Sequence, residues 1–448
     1  MGPSAELALH RFGLGARPGE LARIGDPAGW LTAQIAAQAE PVSFGDFPRA
    51  AQVIREAPDR GALKDDKDAR KDYVRELRDA ARTAIGARMK AAYVSDTPFH
   101  ERLVWFWSNH LAIGMQAKLR VVPFAFDYER SAIRPHVTGR FADMLLASAR
   151  HPAMLIYLDN ALSAGPGSRA GRRRDQGLNE NYARELMELH TLGAGGGYTQ
   201  ADIVELAKIL TGWTVPPKEF QKGDTAFLFA PNRHEPGAKT LLGVRYDEGE
   251  EAGVQAISAL ARHPSTARHI ARKFAAHFTA DAPDDALVAH LEGVFRDTDG
   301  DLGELARALV AHEAAWTPAL GKARDPIQFV TAAVRATAGA SAGQIKPESE
   351  LALLGGMRAL GQVPFSAPTP QGWPDTAAAW FGPDQVVERA EWALALAGRI
   401  TQSVDPAELA AGLFGRLLTD TTRTAIARAP SPQEGLALLI ASPEFMRR

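Results

Sequence analysis

The chain has 448 residues, 46% of them hydrophobic and 23% charged, with a formal net charge of −2 and no cysteine. The near-neutral balance removes any global electrostatic case for nucleic acid or an anionic membrane as partner. The missing thiols exclude disulfides, thiolate zinc sites, iron–sulfur clusters and a cysteine nucleophile. No apolar run reaches the length of a membrane span. The opening stretch, MGPSAELALHRFGLGARPGE, lacks the basic start and apolar centre of an export signal, so the sequence as written predicts the cytoplasm.

In chain order, a glycine-rich opening loop leads into a helix with Asp26 as cap and Pro27 in the first position. His10 and Arg11, beside that loop, read as a docked N-terminal arm. Residues 59–93 carry mixed charges at helical spacing and predict a long exposed helix laced by i,i+4 pairs. Thr97 and Pro98 open a helix that Gly114 closes. It holds Trp105, Phe106 and Trp107 together, with His100, Leu103, Trp107 and His110 on one stripe. Large aromatics signal core. Two histidines on that stripe with Asn109 alongside point instead to a cleft wall, and make His110 a candidate substrate contact.

Residues 118–160 read as helices punctuated at Pro135, Gly139 and Pro152. The stretch 163–177 reads as a loop with four arginines, either a solvated connection or an anion-holding lid. Next comes NENYARELMELHTLGAGGG, 179–197, which predicts one short helix stopped by glycines. At about 100° per residue, Asn181, Glu185 and Glu188 share one face with Arg184 at its edge. Tyr182, Leu186, Met187, Leu189 and His190 take the opposite arc. His190 therefore cannot share an ion with the two glutamates on a straight helix.

Thr199 caps the following helix, and Asp202 completes a capping-box pattern. The glycines before it match neither nucleotide-loop pattern and read as a tight corner between helices. Residues 224–246 carry the main β signal, a hairpin or two short strands, with His234 in its exposed loop as a further site candidate. From 248 onward nearly every segment reads as helical. RDTDGDLGEL, 296–305, lacks the glycine and glutamate of a calcium loop and reads as a turn plus cap. Asp325 and Pro326 begin a helix, and 361–375 is a proline-rich excursion containing Trp373, fit to line a cleft. There is no internal repeat or heptad array. The fold class is mainly α: one large multi-helix domain, 1–448, with a small β-hairpin insertion near 224–246. The available subdivision is 1–215 and 216–448.

Several stretches, in order along almost the whole chain, carry a resemblance. They include RFGLGARPGE, VWFWSNHLAIG, HPAMLIYLDN, NENYARELMELHTLGAGGGYTQADIVELAKILTGW, RHEPGAKTLLG, ARDPIQFVTAAVRA, GQVPFSAPTPQGWP and LLIASPEF. Together they resemble the bacterial family known as domain of unknown function 1800. The resemblance implies a large, mainly helical protein and assigns no chemistry. It also implies that relatives are exported, which keeps a periplasmic or exported location open.

Three functions fit the residues. The first is acid/base hydrolysis of a glycan or similar small polar substrate. Glu185 and Glu188 would be acid and partner, their Cβ atoms about 5–6 Å apart on adjacent turns. Mutual repulsion would separate their pKa values. Asn181 and Arg184 would hold the pair, Trp105, Trp107 and Trp373 would stack on sugar, and His110 and His234 would contact substrate. Two carboxyls on one helix can hardly flank a sugar, so one of them with a carboxylate elsewhere fits better. This reading needs no cofactor. The second is a metal-dependent enzyme using carboxylates with His110 and His234, although no H-E-x-x-H or E-x-x-H motif is present. The third is a non-catalytic helical binding or scaffold protein of the cell envelope, in which Glu185 and Glu188 pair with Arg184 and the arginines at 172–174. A serine hydrolase is disfavoured by the absence of G-x-S-x-G.

Overall fold

The computed structural model describes residues 2–36, 44, 47–58, 60–174, 177–221, 223–317, 320–338, 347–400 and 404–448. Local capping signals place many of the helices. Asp26 accepts from the Gly29 amide and starts α1, Pro27–Ile35. The charged stretch contains α2, Lys67–Val94, entered at Asp66, whose carboxylate takes the Asp68 and Ala69 amides. Position 59 lies outside the described residues. Helix α3 spans Pro98–His110 and ends at Leu111, short of Gly114. Gly114 instead pairs with Ser366, and the Met115 amide donates to Phe365 O at 2.8 Å, which ties the end of α3 to the proline-rich excursion.

Helices α4, Phe141–Arg150, and α5, Pro152–Tyr157, follow, broken at His151 and Pro152 as the sequence requires. The arginine-rich stretch is not simply a loop, because Arg169–Arg174 form a short helix. Positions 175 and 176 lie outside the described residues. The segment at 179–197 also departs from expectation. Helix α6 is confined to Asn181–Glu185, and Leu186–Thr191 continue as a π-helical turn. Thr191 Oγ1 donates to Leu186 O at 2.7 Å, five residues back, and satisfies a carbonyl of the widened turn. The glycine corner forms as predicted, with Gly193 at φ +80, where an added Cβ would meet His269 Nδ1 at 2.8 Å. Helix α7, Gln200–Leu210, carries the full Thr199–Asp202 capping box.

The β structure is two small antiparallel pairs. Strand β2, Leu228–Phe229, pairs upstream with β1, Trp213–Thr214, and the hairpin is β3, Lys239–Leu241, with β4, Val244–Tyr246. Its two-residue turn puts Leu242 at φ 50 and Gly243 at φ 77, as a primed turn demands. Asp202 accepts the Leu242 amide at 2.9 Å and steadies that unfavourable leucine conformation.

The remainder is helical: α8, Glu250–Ala261; α9, Pro264–Phe278; α10, Asp285–Asp297; α11, Leu302–Ala311; α12, Pro326–Ala338; α13, Pro347–Ala359; α14, Pro383–Ala397; α15, Pro406–Phe414; α16, Asp420–Ala427; and α17, Pro432–Ile440. The calcium-like stretch is a turn and cap, with Asp301 accepting the Glu304 amide at the start of α11. One continuous apolar core runs from Leu7 to Met446. His10 and Arg11 are buried in it, bonded to Leu413 O and Ala315 O, so the N-terminal arm is docked. Among the described residues, no helix is long and apolar enough to cross a membrane.

Candidate functional site

Helix α3, the cap of α12 and the proline-rich excursion enclose a cavity of about 70 Å³. A water needs roughly 10–15 Å³ on this measure, so the space suits a few waters or one polar group of a larger molecule. The excursion closes on α3 through Gly372, at φ +84, where a Cβ would stand 2.3 Å from Asn109 O. Asn109 Nδ2 donates to Trp373 O at 2.9 Å, and its Oδ1 accepts the Trp373 amide at 2.7 Å. Trp105 and Trp373 therefore line one cavity, as a sugar-stacking surface would require. Trp107 does not join them. It is fully buried among Phe106, Phe141 and Phe274, and is core.

The acidic and basic side chains on the cavity wall are Asp325, Asp375, His277 and Arg88. Asp375, its side chain 35% exposed, is held by three elements. His277 meets it at 2.9 Å, Arg448 at 3.3 Å and Lys322 at 3.6 Å. Arg102 donates to His277 Nε2 at 3.2 Å, which leaves the histidine proton on Nδ1, facing Asp375. Burial alone would raise the Asp375 pKa, but His277, Arg448 and Lys322 overcome it and hold the carboxyl well below the usual range. Asp325 goes the other way. Burial raises its pKa and Asp375 adds to the rise, although its carboxylate caps α12 by accepting the Gln328 amide at 2.8 Å. Three buried polar atoms of lining residues have no hydrogen-bond partner among the described residues: Trp105 Nε1, Trp373 Nε1 and Gln328 Oε1. Two donors and an acceptor lie unused beside two carboxyls of opposite tendency.

Glu185 and Glu188 lie elsewhere, on a half-buried shelf formed by α6 and its π turn. Neither lines this cavity. Among the described residues, neither has a basic nitrogen within 4.0 Å. Burial, then the neighbouring Glu188, raises the Glu185 pKa. Two tyrosines flank the pair. Tyr157 is pushed up to about 12 by burial and then by Glu185, and Tyr198 is raised by burial and then by Glu188. Arg184 does not hold the acidic pair. It bonds Glu180 at 3.2 Å and Gln200 at 3.0 Å. Asn181 is exposed, and its side-chain amide reaches Leu158 O at 3.5 Å.

The two histidine candidates serve separate networks. His234 is buried rather than loop-exposed. Its Nδ1–H donates to Thr211 O at 2.9 Å, and its Nε2 accepts from Lys239 at 3.1 Å and the Gly249 amide at 3.2 Å. It pins the hairpin to α7. His110, also buried, donates from Nε2 to His190 O at 3.0 Å and accepts at Nδ1 from Lys273, also at 3.0 Å. Among the described residues, no three histidine or acidic side chains gather closely enough to hold a metal ion, so the His110–His234 ligand set is not assembled.

Sequence reasoning missed Asp325, Asp375, His277, Lys273 and Arg448. Asp325 stood in view only as a helix cap, and Asp375 only as the residue after Trp373 and Pro374. Three of the stretches that carry the family resemblance, around Trp105, Asp325 and Trp373, line the cavity. The signal was their convergence, which no single stretch contains. No curated protein and no solved structure matches the chain. The chain belongs to the family described as Protein of unknown function (DUF1800), whose pattern matches residues 7–447.

Proposed function

We propose that the protein is an acid/base hydrolase acting on the end of a glycan or a similarly polar substrate, with Asp325 and Asp375 as its working carboxyls. The observation that carries this reading is their presence on one tryptophan-rimmed wall with His277, beside unused indole donors. A carboxyl pushed up by burial is suited to donate a proton to a leaving oxygen. A carboxylate held ionised by His277, Arg448 and Lys322 is a poor base, and is suited to face developing positive charge as nucleophile or electrostatic partner. Trp373, partly exposed at the cavity rim, offers an apolar face for a sugar ring.

Tryptophan fluorescence titrated with a panel of neutral and acidic oligosaccharides, followed by mass analysis of products, tests this. At least one oligosaccharide should quench wild type and lose that effect in Trp373→Ala. Cleavage should fall about a hundredfold or more in Asp325→Asn and Asp375→Asn. Cleavage untouched by both substitutions would refute the assignment. Absence of binding or cleavage across the panel would leave the non-catalytic scaffold as the better reading.

A second placing of the same chemistry is favoured by the unpaired state of Glu185 and Glu188 and the raised Glu185 carboxyl. There Glu185 is the acid, Glu188 its partner, and Tyr157 and Tyr198 flank the substrate. Glu185→Gln discriminates: it should abolish cleavage if the shelf works and leave it intact if the cavity does.

A further inference from the structure

One turn before His277 on α9, the amine of Lys273 stands in a setting unlike that of the buried Lys239 and Lys322. Lys322 is held by Asp281 at 2.8 Å and by Asp375. Lys239 bonds Glu235 O and His234 and feels Glu248, Glu235 and Glu205. Lys273 has no carboxylate within 4.0 Å of its Nζ among the described residues. Its hydrogen-bond partner is His110 Nδ1 at 3.0 Å. The carbonyl of His190 takes the proton on His110 Nε2, so Nδ1 is fixed as an unprotonated acceptor facing the amine.

The surroundings are imidazoles. His110 on α3, His190 on the π turn and His269 on α9 cluster here, with His110 ring centres 6.4 Å from His190 and 6.1 Å from His269. His269 spends its Nε2 proton on Leu189 O at 3.2 Å. His190 Nε2 is buried and unpartnered among the described residues. The nearest acid acting on the amine is Asp375, beyond hydrogen-bond reach. Lys273 and His269 each keep part of their surface exposed.

We propose that Lys273 is a reactive amine that takes aldehyde or ketone carbonyls as Schiff bases, with His110 Nδ1 as the hydrogen-bond acceptor that orients it. The amine lone pair attacks the carbonyl carbon and forms the C–N bond. One amine proton passes to the carbonyl oxygen, which becomes a hydroxyl. The second amine proton then joins that hydroxyl, which leaves as water as the C–O bond breaks and the C=N bond of the imine forms. Burial and the missing counter-ion supply the neutral amine, lowering the Lys273 pKa to about 8. At pH 8 an ordinary lysine is on the order of a hundredfold less deprotonated. The three histidines stay neutral there, since burial lowers each of them, His190 to about 3 and His269 to about 4. This site does not rest on the reading of the cavity.

The test is labelling of the folded wild-type chain with propanal and cyanoborohydride from pH 6.5 to 10.5, with alkylated lysines located by peptide mass analysis. Lys273 should label at least about tenfold faster than the exposed Lys67 and Lys71 at pH 7.5, with half-maximal rate near pH 8. In urea that preference should vanish, and Lys273→Arg should remove the fast-labelling site while keeping the fold. A Lys273 that labels no faster than Lys71, or whose profile climbs only near pH 10, would overturn the proposal.

Discussion

The cavity and the acidic shelf both contain paired carboxyls, yet they are built in opposite ways. The cavity draws Asp325, Asp375, His277, Lys322, Arg102 and Arg448 from segments far apart in sequence, and most of their charge is spoken for. The shelf is local: Glu185 and Glu188 stand three residues apart, half-buried and without a counter-ion among the described residues. The difference teaches that a dense polar pattern in one helix is not the same as an assembled site. An assembled site needs groups that fix one another's protonation, and here those come from across the fold.

Lowering the pH should pull the two regions apart, and this is the largest effect expected. His277 on the cavity wall, His190 in the histidine cluster and His10 under Phe414 have folded pKa values lowered to about 3, and His269 to about 4, all below the ordinary 6.5. Their folded values are depressed, so their stability is full above pH 6.5 and is lost as pH falls, because the unfolded chain takes up protons that the fold refuses. By pH 5 each fully buried histidine should have cost about 1–2 kcal/mol, and these histidines about 5 kcal/mol in all. Asp375, also depressed, adds its loss only below about pH 4. The shelf has the opposite sign: a raised Glu185 relieves strain as it protonates. Urea midpoints at pH 7, 6 and 5 measure the balance. A flat profile would mean that these histidines are not held neutral.

Next in size is the split between neighbouring tryptophans. Trp107 is fully buried, so Trp107→Ala should destabilise by about 3–5 kcal/mol in urea melts, as a core cavity does. Trp373 on the cavity rim is partly exposed. Trp373→Ala should cost clearly less, about 1–2 kcal/mol, and should act on ligand binding instead. Equal losses at the two positions would dissolve the distinction between core wall and cavity wall.

What was legible in the sequence follows the same divide between local and distant. Caps are local chemistry, so Asp26 with Pro27, and Thr199 with Asp202, announced their helices correctly. Pro152, likewise a local signal, announced the break between α4 and α5. The π turn at Leu186–Thr191 was not legible, because a 3.6-residue period was assumed through it and nothing in ELMELHT declares the extra residue per turn. The cavity was half legible. Trp105 and Trp373 were singled out as aromatic surface, but Asp325 looked like an ordinary cap and Asp375 like a turn residue. Lys273 and His110 are 163 positions apart, and no spacing rule joins them. Arg184 misled, since its nearest acids along the helix are three, and it chose Glu180.

The smallest predicted effect is the one that decides how the shelf is used. Glu185 and Glu188 make no ion pair among the described residues, so Glu185→Gln and Glu188→Gln break none. Burial and like-charge repulsion already disfavour an ionised Glu185. Both substitutions should therefore change stability at pH 7 by no more than about 0.5 kcal/mol, with Glu185→Gln on the stabilising side. Glu188→Gln removes a charge that disfavours an ionised Glu185 and should be close to neutral. A loss of about 2 kcal/mol or more in urea melts of either variant would mean that a cation holds the shelf, as the structural ion-pair reading requires. A near-zero change leaves two carboxyls that the fold does not need at the solvent edge. Folding then does not account for their presence, and a ligand or a partner surface becomes the reading to test.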